Sequence, residues 1–234
     1  MRIYYGNAAR RSSMDQFYAQ FVARGDLVFD IGAHVGGRIG AFRRLGARVI
    51  AAEPQPALVR ILKLIYGRDV AVTIEAVAIG ARPGIIDLDL NLENPTVASA
   101  SRAFIRAAQG APGWEGQSWS RTISVPVTTL DELMVRYGRP SFIKIDVEGF
   151  EAQALAGLTR PTAALSFEFT TIQRDVAGAC VAHCEKLGYR QFNGALGETH
   201  ELVHPQWLDA TAIASWLAAL PHAVNSGDIY ARTG

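Results

Sequence analysis

At 234 residues the chain can bury a substantial core in one large domain or two small ones, and its 49% hydrophobic and 19% charged residues are ordinary for a globular protein. A net charge of +1 supplies no global attraction for nucleic acid or an anionic membrane, so neither is an expected partner. No apolar run approaches the roughly 20 residues of a membrane span, and the N-terminal MRIYYGNAARRSSMDQF lacks the apolar centre of a signal peptide, which makes the cytoplasm the expected location.

Residues 1–25 read as an N-terminal helical or capping segment. Short apolar runs then alternate with helical stretches, the pattern of a doubly wound, mostly parallel sheet with helices on both faces. DLVFDIGA (26–33) is a first strand, followed by a helix through GRIGAFRRLG. ARVIAAEP (47–54) is a second strand stopped by Pro54, PALVRILKLIYG a helix of period 3.6, and VAVTIEAVAIG (70–80) a third strand. GIIDLDLNLEN (84–94) alternates apolar and acidic residues as a half-exposed strand does. RTISVPVTTL (121–130) reads similarly, with Pro126 placing it at a sheet edge. Between them lies a Gly-, Pro- and Ser-rich segment holding Trp114 and Trp119. A connection of that length is more often a lid or binding loop than a plain link, so 91–120 is the expected substrate loop, its tryptophans suited either to packing or to a flat or sugar acceptor.

Thr129 ahead of Asp131 and Glu132 marks the N-cap of a helix at 130–138. SFIKIDV (141–147) is a fourth strand, FEAQALAGL (150–158) a helix, and TAALSFEF (162–169) a fifth strand. RDVAGACVAHCEKLG (174–188) is a helix ended by Gly188, and YRQFN and GDIYART (227–233) complete seven core strands. Cys180 and Cys184 share one face of their helix and lack the spacing of a zinc site, so they read as buried packing.

In open α/β sheets ligands bind beyond the carboxyl ends of the strands. Acids stand at four of those ends: Asp30, Glu53, Asp146 with Glu148, and Glu168. Gly32 and Gly36 allow tight turns near a ligand, and Glu53 follows Asp30 at the spacing of a ribose-binding carboxylate. A dinucleotide fingerprint would need glycine where His34 stands. The loop therefore suits a ribose-bearing cofactor that is cationic rather than doubly phosphorylated, and S-adenosylmethionine fits. Lys144 alternates onto the side of Asp146 and is expected to pair with it, since an unpaired buried ammonium is costly. Glu151 reads as solvated helix surface. Glu168 has two openings, an arginine partner or a magnesium site shared with Asp146 and Glu148.

FDIGAHVGG, AAEPQP, EAVAIG, VPVTTLDEL and FIKIDVEGFEAQALAGL, in this order, resemble the FkbM-type methyltransferases, a branch of the class I S-adenosylmethionine-dependent enzymes. The resemblance runs from about Leu27 to Leu158, with a continuation in ALSFEF. It implies a single Rossmann-like domain over 1–234, S-adenosylmethionine as cofactor, and methylation of a hydroxyl on a small metabolite, sugar, glycan or polyketide-type acceptor. Carried over by position, Asp30, Gly32, Ala33, His34 and Gly36 fall on the first cofactor loop, Glu53 and Pro54 on the ribose acid, Val77 and Ala78 on the adenine loop, and Asp146 on the fourth-strand motif. His34 and Glu148 are the candidate bases, with Asp146 positioning cofactor or acceptor. The rival readings are a nicotinamide-dependent oxidoreductase and a non-catalytic binding domain on the same architecture.

Overall fold

The computed structural model describes the backbone of residues 8–234 and the side chains of residues 11–234. The expected N-terminal segment contributes helix α1 (Ala8–Tyr18); its part before Ala8 lies outside the described residues. Then come β1 (Leu27–Ile31), α2 (Gly37–Arg44), β2 (Arg48–Ala52), α3 (Pro56–Tyr66), β3 (Val72–Glu75), β4 (Ala78–Ile79) and β5 (Gly84–Leu90). The second half holds α4 (Arg102–Ala108), β6 (Arg121–Thr128), α5 (Leu130–Tyr137), β7 (Phe142–Ile145), α6 (Glu151–Leu155), β8 (Ala164–Thr170), α7 (Arg174–Leu187), β9 (Gln191–Leu196), α8 (Ala210–Ala219) and β10 (Ser226–Arg232).

Seven strands form one sheet in the order β3-β2-β1-β7-β8-β10-β9. Neighbours from β3 to β8 pair parallel, and β10 runs antiparallel to both β8 and β9. This is a Rossmann-like, mostly parallel sheet whose connectivity reverses direction between β1 and β7, where such sheets open a crevice. Alternation divides the core cleanly. Phe29, Ile31, Ile143, Ile145, Leu165 and Phe167 pack beneath α5 to α8, while Val28, Val49, Ala51 and Phe142 pack beneath α1 to α3. Cys180 and Cys184 are buried and unbridged within α7, as the helical spacing implied.

Three expectations need correction. The apolar run 70–80 is not one strand: β3 ends at Glu75, and Ala78–Ile79 joins a second, three-stranded sheet of order β4-β6-β5. Strand β6 is central in that sheet, not an edge. Its proline is tolerated because β4 reaches only Val127 and Thr128, leaving Pro126 paired on one side, to Ile85. The helix expected over 150–158 spans Glu151–Leu155 and finishes in a tight turn through Leu158. Thr129, by contrast, caps α5 as expected: its hydroxyl accepts from the Glu132 N–H, and the Glu132 carboxylate accepts in return from the Thr129 N–H, completing the capping box.

Candidate active site

The carboxyl ends of β1, β2 and β7 open on a cavity of about 210 Å³. Asp30, Gly32, Ala33, His34, Glu53, Pro54, Val77, Ala78, Asp146 and Glu148 all line it; Gly36, the N-cap of α2, does not, although its neighbours Val35 and Gly37 do. Arg38, Gln55, Glu168 and Glu198 complete its polar wall.

The first loop is built by backbone bonds. Gly32 and Ala33 donate to the Ala52 carbonyl at 2.9 and 3.1 Å, joining the loop to β2. A Cβ on Gly32 would lie 1.7 Å from the Asp146 carbonyl oxygen, and one on Gly36 2.5 Å from the Tyr66 ring. Both glycines are therefore required by close approach of the chain to itself, not only by a ligand. His34 follows with φ 50°, a left-handed conformation that costs a non-glycine residue about 1–2 kcal/mol.

Glu53 is 3% exposed and accepts from the backbone N–H groups of His34 at 2.9 Å and Gln55 at 2.8 Å, one on each oxygen. Burial outweighs those bonds and raises its pKa to about 7. Each oxygen keeps a lone pair for a further donor. Asp30 is likewise raised to about 7 by burial, against the pull of Arg38 and Lys144, and its Oδ2 has no hydrogen-bond partner.

Register explains why charge lies inside the sheet. Asp30 pairs with Lys144, Lys144 with Ser166, and Glu168 with Asp228, so four adjacent strands carry a polar row on the face toward α1 and α2. Lys144 Nζ donates to Asp146 Oδ2 at 3.1 Å, the expected pair, and also to Asp228 Oδ1 at 2.9 Å. Burial alone would raise Asp146, but Lys144 and then Arg38 outweigh it and hold its pKa below the usual range. Asp228 had no place in the sequence reading. The signal was the one that exposed Lys144, a charge at a buried position of an apolar strand.

Glu148 sits at φ 52°, and the Ser99 hydroxyl donates to its carbonyl at 2.6 Å. Its pKa is held well above the usual carboxylate range by burial and then by the negative charge of Asp146 and Glu151. Glu168 is raised in the same way, by burial, Asp146 and Glu148. One oxygen from each of Asp146, Glu148 and Glu168 lies within 4.8 Å of the others. Among the described residues no arginine pairs with Glu168, and its Oε2 lacks a hydrogen-bond partner. The three acids form a set able to hold a divalent ion or a proton, and the paired Lys144 ammonium holds Asp146 in its ionised form. His34 has a lowered pKa because burial disfavours its cation, so its imidazole is neutral near pH 7.

Glu151 is not solvated helix surface. It is 3% exposed, and its Oε1 accepts from the N–H groups of Val147 and Gly149 at 3.1 and 3.2 Å, pinning the turn that presents Glu148. Gly149 is crowded against Phe104 and Gln173, which ties this turn to the 91–120 segment.

That segment contributes a wall, not its tryptophans. Pro95, Thr96, Ala98 and Ala100 line the cavity, and Gln55 Nε2 bonds the Pro95 carbonyl at 3.1 Å. Trp114 is buried against Phe104, with Trp119 packed alongside and donating to the Val97 carbonyl. Neither ring lines the cavity.

The donor set fits the cofactor implied by the resemblance. A buried carboxylate with spare lone pairs suits ribose hydroxyls, Val77 and Ala78 offer apolar surface, and Asp30 with Asp146 suits positive charge.

A family model described as Methyltransferase FkbM domain matches residues 30–193. A search of the curated proteins finds no match. Among solved structures, the chain is similar to precorrin-6y C5,15-methyltransferase from Geobacter metallireducens, with 13% identity, 96% of this chain and 87% of that one covered, and a TM-score of 0.46. A TehB-like SAM-dependent methyltransferase from Corynebacterium glutamicum shows 12% identity, coverage of 95% and 88%, and a TM-score of 0.49. Fibrillarin from Aeropyrum pernix, in complex with natively bound S-adenosyl-L-methionine, shows 9% identity, coverage of 90% and 68%, and a TM-score of 0.46. The family assignment rests on the sequence match, which spans more than half of the chain. It sets aside the nicotinamide-dependent alternative. Among the described residues no helix is long and apolar enough to cross a membrane.

Proposed function

The chain belongs to the FkbM family of S-adenosylmethionine-dependent methyltransferases, and from that premise we propose that it methylates a hydroxyl oxygen of a small metabolite, sugar, glycan or polyketide-type acceptor. The observation that carries this reading is the cavity's chemistry: Glu148 and Glu168 face it with raised proton affinity, beside a cofactor loop and without a basic partner of their own. When bound, S-adenosylmethionine supplies an electrophilic methyl group. An alcohol needs its proton removed as it is methylated, and a carboxylate whose proton affinity is raised by burial and neighbouring negative charge suits that work.

In this proposal Glu53 receives the ribose hydroxyls, Val77 and Ala78 flank the adenine, and Asp30, Gly32, Ala33, Gly36 and Pro54 shape the loop around the cofactor. Glu148 takes the hydroxyl proton, with Glu168 sharing it. His34 is the alternative base, neutral and on the same cavity wall. Lys144 holds Asp146 ionised, which keeps negative charge beside the cofactor and steers the proton to Glu148. A cavity with this many carboxylates opposes phosphate-bearing acceptors, so nucleic acid is not the proposed substrate. The chain is proposed to act as one domain in the cytoplasm.

Incubation with S-adenosylmethionine carrying a ¹³C-methyl group, across a panel of neutral sugars and polyhydroxylated metabolites, tests the reading. A labelled methyl resonance typical of an ether supports it, and transfer only to nitrogen or carbon overturns it. A magnesium ion on Asp146, Glu148 and Glu168 is the competing occupant of the acid group. Activity that survives dialysis against a chelator decides for proton transfer, and activity lost on dialysis and restored by magnesium decides for the ion.

A further inference from the structure

The turn that presents Glu148 is held from two directions. From the helix that follows, Glu151 Oε1 accepts the N–H groups of Val147 and Gly149, on either side of Glu148. From the 91–120 segment, 49 positions away in the chain, Ser99 donates its hydroxyl to the Glu148 carbonyl at 2.6 Å. Among the described residues that carbonyl has no other hydrogen-bond donor. Ser99 is fully buried and is itself fixed in place. Its backbone N–H and carbonyl exchange bonds with Asp89 at 3.0 and 2.9 Å, and its Oγ accepts from the Ser101 N–H at 2.9 Å. The hold matters because Glu148 stands at φ 52°, in a left-handed region that a side chain with a Cβ keeps only where its surroundings impose it. Relaxation to the ordinary region would turn the Cα–Cβ bond and carry the carboxylate elsewhere.

We infer that Ser99 is a positioning residue for methyl transfer, its hydroxyl holding the Glu148 turn so that the cavity wall on which Ser99 stands sets the aim of the base. This rests on the reading of Glu148 as the base. The neighbours on either side, Ala98 and Ala100, line the cavity, whereas Ser99 does not and reaches instead to the turn. One short stretch thus serves as wall and as strut. Two residues further on, Ser101 caps α4 by accepting from the Phe104 N–H at 3.1 Å. Phe104 in turn crowds Gly149, where an added Cβ would lie 2.5 Å from the Phe104 Cβ. The segment therefore meets the turn twice, by a hydrogen bond at Glu148 and by packing at Gly149. A ligand that leans on the 98–100 wall is coupled to the base through one hydroxyl. Alignment of that kind acts on rate more than on binding, because a reacting group displaced by about an ångström costs on the order of 10²-fold.

Turnover is read as labelled ether formed per chain from ¹³C-methyl S-adenosylmethionine, with the neutral sugars and polyhydroxylated metabolites supplied as one mixture. Calorimetry with S-adenosylhomocysteine runs beside it. Ser99→Ala should lower turnover on the order of 10- to 100-fold, while affinity for S-adenosylhomocysteine stays within a few-fold. Unchanged turnover overturns the inference. So does a loss of turnover matched by an equal loss of affinity, which marks a structural role only. If Ser99→Ala fails to fold, Ser99→Cys, of similar shape with a much weaker donor, decides by the same two measures. Acting through Glu148 also means that the two effects do not add. In Glu148→Gln, where no base remains to be aimed, adding Ser99→Ala should leave the residual turnover within about two-fold, and the full loss there overturns the assignment. Failure of the reading beneath looks different: Glu148→Gln as active as the wild type removes the base, and a wild type that forms no labelled ether removes the reaction.

Discussion

The two ends of the large sheet treat buried polar groups in opposite ways. At the amino end, around Leu27, Ser141 and Thr162, groups are satisfied. Ser141 donates its N–H to the Leu27 carbonyl at 2.9 Å, and Thr162 bonds the Tyr189 hydroxyl through both N–H and Oγ1 at 2.9 Å. At the carboxyl end Asp30, Arg38 and Glu168 each keep an unpartnered buried atom. Two of the four described non-glycine residues with positive φ, His34 and Glu148, stand on that same rim. Strain and unmet polarity persist only where something over-determines or later satisfies them. The amino end is built for stability and the carboxyl end for a ligand.

The widest separation between the ends should appear in Glu148→Gln. Loss of a positioned base costs on the order of 10²- to 10⁴-fold in turnover, while affinity for S-adenosylhomocysteine stays within a few-fold. Full turnover in this variant would move the base to His34. Next, Lys144→Met leaves Asp146 and Asp228 facing each other without their shared cation. Breaking a buried pair in this way costs about 3–5 kcal/mol, measurable by denaturant unfolding. A loss below about 1 kcal/mol would show that the polar row is not held by Lys144.

Asp30→Asn should act in the other direction. Asp30 titrates near 7 in the folded chain against an ordinary 3.8, so folding takes up a proton between those values. Stability of the ligand-free protein therefore falls as pH rises from about 4 to about 7. Removing the charge should stabilise the protein by roughly 1–3 kcal/mol at pH 8 and change little at pH 4, while weakening S-adenosylhomocysteine. Equal stability at both pH values would remove the proposed trade of stability for binding. The smallest effect belongs to the amino end. Thr162→Val loses hydroxyl bonds to Tyr189 and to the Ala164 carbonyl, and should cost about 1–2 kcal/mol without touching ligand affinity. A fall in affinity would blur the distinction between the ends.

The rim was legible in the sequence because acids after apolar strands have few structural reasons to exist. Asp30, Glu53, Asp146 and Glu148 announce themselves that way, and all four line one cavity. Glu151 misled because helical position suggests exposure, whereas its carboxylate turns back to cap two N–H groups of the preceding turn. Arg38 and Glu198 were missed for a different reason. An arginine in a helix and a glutamate in a loop look ordinary until folding brings together residues 160 positions apart. Helix α8 gave no periodic signal, since ATAIASWLAA is apolar on nearly every face, although Asp209 caps it through Ala212 N–H at 2.8 Å. The division of 70–80 between two sheets depends on partners far along the chain, which a local pattern cannot supply.

The acid-lined crevice between β1, β2 and β7 is proposed to hold the methyl donor through Glu53. Calorimetric titration with S-adenosylhomocysteine tests it most directly, comparing the wild type with Glu53→Ala. One molecule should bind per chain, and the variant should lose on the order of 100-fold or more in affinity, the cost of two charge-assisted bonds to ribose. Equal affinity in the two proteins would rule out Glu53 as the group that holds the ribose.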